Sequence, residues 1–153
     1  MPLDLAIENE AWAQVPNLEL MAEQAVAAAL PKGEQGKIIT LLFADDETMQ
    51  ELNKDWRGKD APTNVLSFPA PKDQPVPPGE LSLLGDIVLG FGTCAREAEE
   101  AGKTLTNHTC HLIVHGVLHL LGYDHVDDQE AEKMEAAEIK ILSTLNISNP
   151  YLS

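Results

Sequence analysis

A chain of 153 residues is long enough for one domain with a buried core, and its apolar share of 44% is ordinary for a folded globular protein. Its 10 Lys and Arg stand against 25 Asp and Glu, and the net charge of −15 speaks against broad electrostatic binding of nucleic acid. No apolar run approaches the ~18 residues that span a bilayer, and no basic region precedes an apolar one around Asp4, Glu8 and Glu10, so a cytoplasmic protein without a membrane span is expected.

The predicted elements run as follows. Leu3 to Asn9 alternates apolar and polar residues and reads as a first strand. Pro16 and Asn17 open a helix to about Leu30, with Asn17 as its cap and Leu18, Met21, Ala22, Ala25 and Ala29 on one apolar face. Pro31 and Gly33 stop it. Lys37 to Ala44 is β-branched and apolar, a central strand. Asp45 and Asp46 cap a short helix to about Trp56, with Met49, Leu52 and Trp56 as its inner stripe. Asn64 to Pro69 is a third strand. Ala70 to Ser82, with Pro71, Pro75, Pro77 and Pro78, reads as a mobile loop, and Leu83 to Gly90 as a fourth strand. Helices follow from about Thr93 to Ala101 and from about Thr104 to Leu121, the second apolar nearly all round and therefore buried. A last helix is capped by Asp127 or Asp128, with Met134, Ile141, Leu142 and Leu145 facing inward. Cys94 and Cys110 form neither a metal-type pair nor a disulfide framework, and buried free thiols are expected. This order fits neither a strict βαβ alternation nor a bundle. It predicts a single α+β domain over 1–153 with a four-stranded mixed sheet.

All five histidines fall between His108 and His125. His115 and His119 are four residues apart, a step that turns a helical side chain by about 40° and lifts it by about 6 Å, so both imidazoles share one face. Gly122 can end the helix in a left-handed turn and bring His125 back toward that face. Three neutral imidazoles leave a metal with one open position, as catalytic zinc sites do. Zinc suits an imidazole set best, although nickel or cobalt fits the same ligands. The spacing resembles that of long-zinc-motif metalloproteases, except that Gly116 stands where those proteins carry the Glu that acts as general base. Peptide hydrolysis is therefore disfavoured.

His111, one turn before His115, is either a supporting donor to the site or a packed histidine. His108 is expected near the exposed start of the helix. Asp124 either orients a ligand or closes the turn. Asp86 lies inside an apolar strand as a structural, outward-facing or site residue. The second informative stretch is Trp56 to Pro69. Lys54, Arg57 and Lys59 gather three of the ten cations in one six-residue window at its start; the Arg57 fork suits a phosphate, and an ordinary surface arginine is the competing reading.

Leu52 to Pro69 (LNKDWRGKDAPTNVLSFP) and His115 to His125 (HGVLHLLGYDH), joined by Gly79 to Gly90 (GELSLLGDIVLG), resemble the YbeY family of bacterial metal-dependent endoribonucleases. The resemblance spans nearly the whole chain. It implies a zincin-like α+β fold, one zinc ion held by His115, His119 and His125, and an active-site arginine at Arg57. It also implies single-strand-specific cleavage at the 3′ end of 16S ribosomal RNA, ribosome quality control, and ribosomal RNA, ribosomal particles or assembly proteins as partners. Attack would come from a metal-activated water or from a substrate 2′-hydroxyl. The competing readings are a non-catalytic ribosome assembly factor with a structural metal, and a divergent metal-dependent hydrolase of another substrate. The acidic charge adds the expectation that RNA binding draws on a partner or an assembled particle.

Overall fold

The computed structural model describes residues 3–71, 82–124 and 127–151. In chain order these form β1 (Leu3–Ile7), α1 (Leu18–Ala29), β2 (Ile38–Ala44), α2 (Asp46–Arg57), β3 (Val65–Pro69), β4 (Leu83–Gly90), α3 (Phe91–Ala101), α4 (Leu105–Leu120) and α5 (Asp128–Thr144). The four strands make one mixed sheet in the order β1-β2-β4-β3. β1, β2 and β4 run parallel, and β3 lies antiparallel to β4 at one edge. The fold is thus the α+β arrangement that the element order predicts.

Side chains alternate across a strand, so each strand feeds two layers. Ile39, Leu41 and Phe43 of β2, with Ile87 and Leu89 of β4, join the larger core under α1 and α4. Leu66, Val88, Phe68 and Ala44 turn to the other face and pack around Met49 and Leu52 of α2. α4 is the central helix. Ten of its sixteen residues are buried, so side chains carried on it start from a backbone with little room to shift. Thr104 caps it, its hydroxyl accepting from the Asn107 N–H at 3.1 Å. Among the described residues, no helix is long and apolar enough to cross a membrane.

Several local expectations give way to packing. Two short 3-10 helices, Glu10–Gln14 and Lys32–Glu34, flank α1. The first exists to seat Trp12, which is fully buried and donates its indole N–H to the Ala44 carbonyl at 2.8 Å. Asn17 does precede α1, but with left-handed backbone (φ 53°) and no side-chain capping bond. Such a bond needs the extended backbone of an ordinary cap, whereas asparagine tolerates the left-handed region. Trp56 is not part of the inner stripe of α2. It is 70% exposed, and Met49 and Asn53 are the buried positions. The last turn of α2 lies beside the edge strand, where Phe68 meets the indole edge-on with ring centroids 5.8 Å apart. The expected loop from Ala70 to Ser82 falls mainly on 72–81, outside the described residues.

Candidate metal and phosphate site

α4 presents His115 and His119 one turn apart, and their Nε2 atoms approach to 3.0 Å. What each ring does with its other nitrogen decides the chemistry. His119 Nδ1 lies 3.1 Å from the Tyr123 carbonyl oxygen. A carbonyl only accepts, so His119 carries its proton on Nδ1. His115 Nδ1 lies 2.7 Å from Glu138 Oε1. Burial would push the Glu138 carboxyl up, but hydrogen bonds from His111, His115 and Tyr151 overcome it and hold the group at about 2. Glu138 is therefore a carboxylate that only accepts, and His115 also carries its proton on Nδ1. The two Nε2 atoms then face each other at 3.0 Å, a spacing suited to a shared proton or to a cation lodged against both nitrogens, and imidazole nitrogens favour a divalent ion.

Gly122 closes the geometry at the end of α4. Its backbone is left-handed (φ 103°), and the turn is secured by Gly122 N–H to the His119 carbonyl and Tyr123 N–H to the Leu118 carbonyl, both at 3.0 Å. That turn also brings the Tyr123 carbonyl onto His119. The left-handed turn expected at Gly122 is present. His125 lies outside the described residues.

Glu138 is the residue that reading the sequence passed over. It is fully buried in α5, with Oε1 shared by His115 Nδ1 and by His111 Nε2 at 3.2 Å. Its Oε2 accepts from the Tyr151 hydroxyl at 2.6 Å. The signal was available: Glu138 stands four residues from both Met134 and Leu142, on the apolar stripe that buries α5. A carboxylate on such a stripe needs a cationic or hydrogen-bonding partner. Here it fixes the His115 tautomer and raises the basicity of the nitrogen that faces the site. His111 takes the supporting role through the same carboxylate. Glu138→Gln keeps the shape and an acceptor but removes the charge. It should weaken metal affinity by about 10- to 100-fold, read by competition with a chromophoric chelator, with the fold retained. Unchanged affinity would reduce Glu138 to a packing role.

A cleft of about 590 Å³ opens over the two imidazoles. Its walls include Arg57 at the end of α2, Thr63, Asn64 and Ser67 around β3, and Asp124 after the turn. Arg57 and the histidines, nearly sixty positions apart in sequence, thus share one cavity. Gly58 ends α2 in a left-handed cap (φ 71°), and its N–H and that of Lys59 bond back to Lys54 and Asn53. Asn64 is held by donating its amide to Glu97 at 2.9 Å.

Gly116 faces the sheet, against Ile87 and Ser67. A Cβ there would lie 3.0 and 3.1 Å from Ile87 carbons and 3.1 Å from Ser67 Oγ. Ser67 Oγ already donates to the Gly116 carbonyl at 3.2 Å. The position that supplies the general base in metalloproteases here sits in tight helix-to-sheet packing, and a side chain there requires Ile87 and Ser67 to give by a few tenths of an ångström.

Two further residues are placed differently from expectation or settled by it. His108 is buried, not at an exposed helix start, because α3 covers the first turn of α4 and Glu97 meets His108 Nε2 at 3.0 Å. Desolvation lowers its tendency to take a proton, against the opposing pull of Glu97. Asp86 faces Thr40 across the β2–β4 register and accepts the Thr40 hydroxyl. It takes the structural reading and does not line the cleft. Cys94 and Cys110 are buried free thiols, and desolvation pushes Cys110 up to about 11, so neither is poised as a nucleophile.

Comparison with known proteins adds an independent line. Residues 6–146 match the family model described as endoribonuclease YbeY. An endoribonuclease YbeY from Paramagnetospirillum magneticum is 52% identical over 147 residues, covering 92% of this chain and 90% of the relative. Another from a Chelativorans species is 48% identical over 151 residues, covering 97% and 92%. Among solved structures, the solution structure of TM1509 from Thermotoga maritima matches with a TM-score of 0.56 at 22% identity, over 99% of this chain and 96% of that one. That last likeness concerns the fold alone.

Proposed function

The chain belongs to the endoribonuclease YbeY family, and from that premise we propose a metal-assisted cleavage of RNA phosphodiester bonds centred on His115, His119, His125 and Arg57. The enzyme is an endoribonuclease of ribosomal RNA processing. The finer assignments are a single zinc ion, single-stranded RNA at the 3′ end of 16S ribosomal RNA as substrate, ribosomal particles as partners in quality control, and a cytoplasmic setting.

The observation that carries the metal assignment is the pair of enforced tautomers. Tyr123 and Glu138 each claim an Nδ1 proton, and the two Nε2 atoms are left facing each other on the cleft floor. His115 and His119 would hold the ion, with His125 as the third ligand. Zinc there supplies a Lewis acid that polarises a phosphoryl oxygen and makes a nearby water more acidic. The chain's own residues do the rest. Arg57 offers a planar fork of donors from the lining of the same cleft and opposes the charge that builds on the phosphoryl oxygens. Glu138 and the Tyr123 carbonyl keep both imidazoles in register. Gly116, packed against Ile87 and Ser67, supplies no base at the position where metalloproteases carry one. A guanidinium in the cleft together with that missing base favours a phosphodiester over a peptide substrate.

The test is metal content by elemental analysis, with cleavage of a single-stranded RNA measured before chelation, after chelation and after zinc is restored. One zinc per chain is expected, with cleavage lost on removal and regained on addition. Undiminished cleavage by metal-free protein would overturn the assignment, and zinc without any cleavage would favour the assembly-factor reading. Analysis of the product ends distinguishes the routes of attack: a 2′,3′-cyclic phosphate excludes direct water attack as the primary step.

A further inference from the structure

We propose that Trp56 is a stacking platform for a base of the single-stranded RNA whose phosphate Arg57 holds, an inference that rests on the reading of the chain as an RNA-cleaving enzyme. Trp56 is the most exposed of the large apolar side chains among the described residues, at 70%. Leaving an indole in water costs hydrophobic free energy that burial would recover. Position 56 nevertheless carries the second of only two tryptophans in the chain.

Three observations point to a nucleobase as what covers it. First, the ring is supported on one side: Phe68 meets it edge-on, with centroids 5.8 Å apart and planes inclined by 62°. Such a contact holds the indole at a set angle and leaves a face for a flat, π-rich partner. Second, cations gather beside it in an acidic chain. Lys54, Arg57 and Lys59 are all exposed within three positions of it, among Glu51, Asp55 and Asp60, in a chain of net charge −15. The phosphates of a bound strand find three of the chain's ten cations here. Third, the ring packs on the edge strand that walls the cleft. Phe68 belongs to the α2 face of edge strand β3, while its neighbour Ser67 bonds to α4 on the face where the histidines lie. Arg57, adjacent in sequence to Trp56, lines the cleft that reaches those histidines. A single strand laid across the β3 edge meets the imidazoles and Arg57 with its phosphate and the indole with a flanking base. A base inside a duplex has no free face to offer, so this contact selects single strands.

The experiment uses the full-length metal-loaded protein and a short single-stranded 2′-O-methyl oligoribonucleotide. Trp12 is fully buried, so quenching of tryptophan emission on titration reports Trp56, and Trp56→Phe is the control that removes it. We expect quenching in the wild type and its loss in Trp56→Phe. Trp56→Ala should bind the oligonucleotide about tenfold more weakly or worse, with Trp56→Tyr recovering most of the affinity. A strand of the same length with abasic sites should bind wild type and Trp56→Ala equally. Equal affinity of wild type and Trp56→Ala for the intact strand overturns the proposal, as does an equal loss with the abasic strand. A concentration-dependent dimer abolished by Trp56→Ala, with RNA affinity unchanged, overturns it in favour of a protein partner. If the wild type cleaves RNA while any of these holds, the stacking inference alone has failed. If the wild type neither binds nor cleaves RNA, the functional reading beneath it has failed as well.

Discussion

Replacing Arg57 with alanine is expected to lower the kcat of RNA cleavage by about 100- to 1,000-fold while fold and metal content stay unchanged. The size follows from what one well-placed donor contributes when negative charge develops in a confined site. The expectation that the fold survives follows from position. Arg57 is an exposed residue in the last turn of α2, and that turn is closed by the Gly58 cap and the buried Asn53, whose amide donates to the Ala61 carbonyl at 2.9 Å. Arg57→Lys should recover only part of the rate, because an ammonium supplies charge without the two-pronged geometry that a phosphate accepts. If the loss appears in KM with kcat preserved, Arg57 binds ground state and transition state alike. Unchanged kinetics would remove it from the reaction.

The second large effect is expected from His119→Ala. With one of the two facing Nε2 atoms gone, metal content should fall well below one ion per chain, and cleavage should drop to the level of chelated wild type. His119 is partly exposed at the cleft floor, so the core of α4 around Ile113, Val117 and Leu118 should stay intact. Circular dichroism checks this. The two variants separate the roles. Arg57→Ala retains metal and loses rate, whereas His119→Ala loses both. A His119→Ala protein that kept its metal and its activity would place the ion elsewhere.

Much of this was legible before any coordinates, for reasons of pattern. β4 coincides with the apolar run Leu83–Gly90 because a strand buried on both faces is marked by its ends. α4 and the start of α5 fall within a residue or two of expectation because their caps, Thr104 and Asp127, carry side chains that accept backbone N–H groups. The misreadings share a cause. Asn17 looked like a side-chain cap, Trp56 looked buried and His108 looked exposed, and in each the local pattern was sound. What decided them was the neighbour: left-handed backbone before α1, an edge-on contact with Phe68 that leaves the indole exposed, and α3 lying over the start of α4. Gly116 shows the reverse. Its mismatch with the protease pattern was plain in the sequence, but the reason, Ile87 and Ser67 pressed against it, is tertiary.

By itself the sequence determined which residue types could do chemistry and their spacing along the chain: two imidazoles one helical turn apart, a glycine able to reverse the chain after them, and a guanidinium at a helix end. These are short-range facts, set by a fixed rise and rotation per residue. Only the tertiary structure decided that Arg57 opens onto the same cleft as His115 and His119, that Glu138 comes across from α5 to hold His115 by its Nδ1 proton, and that Trp56 faces water. Those are contacts between elements distant in sequence. They depend on how the helices pack against one sheet, and no local periodicity records that.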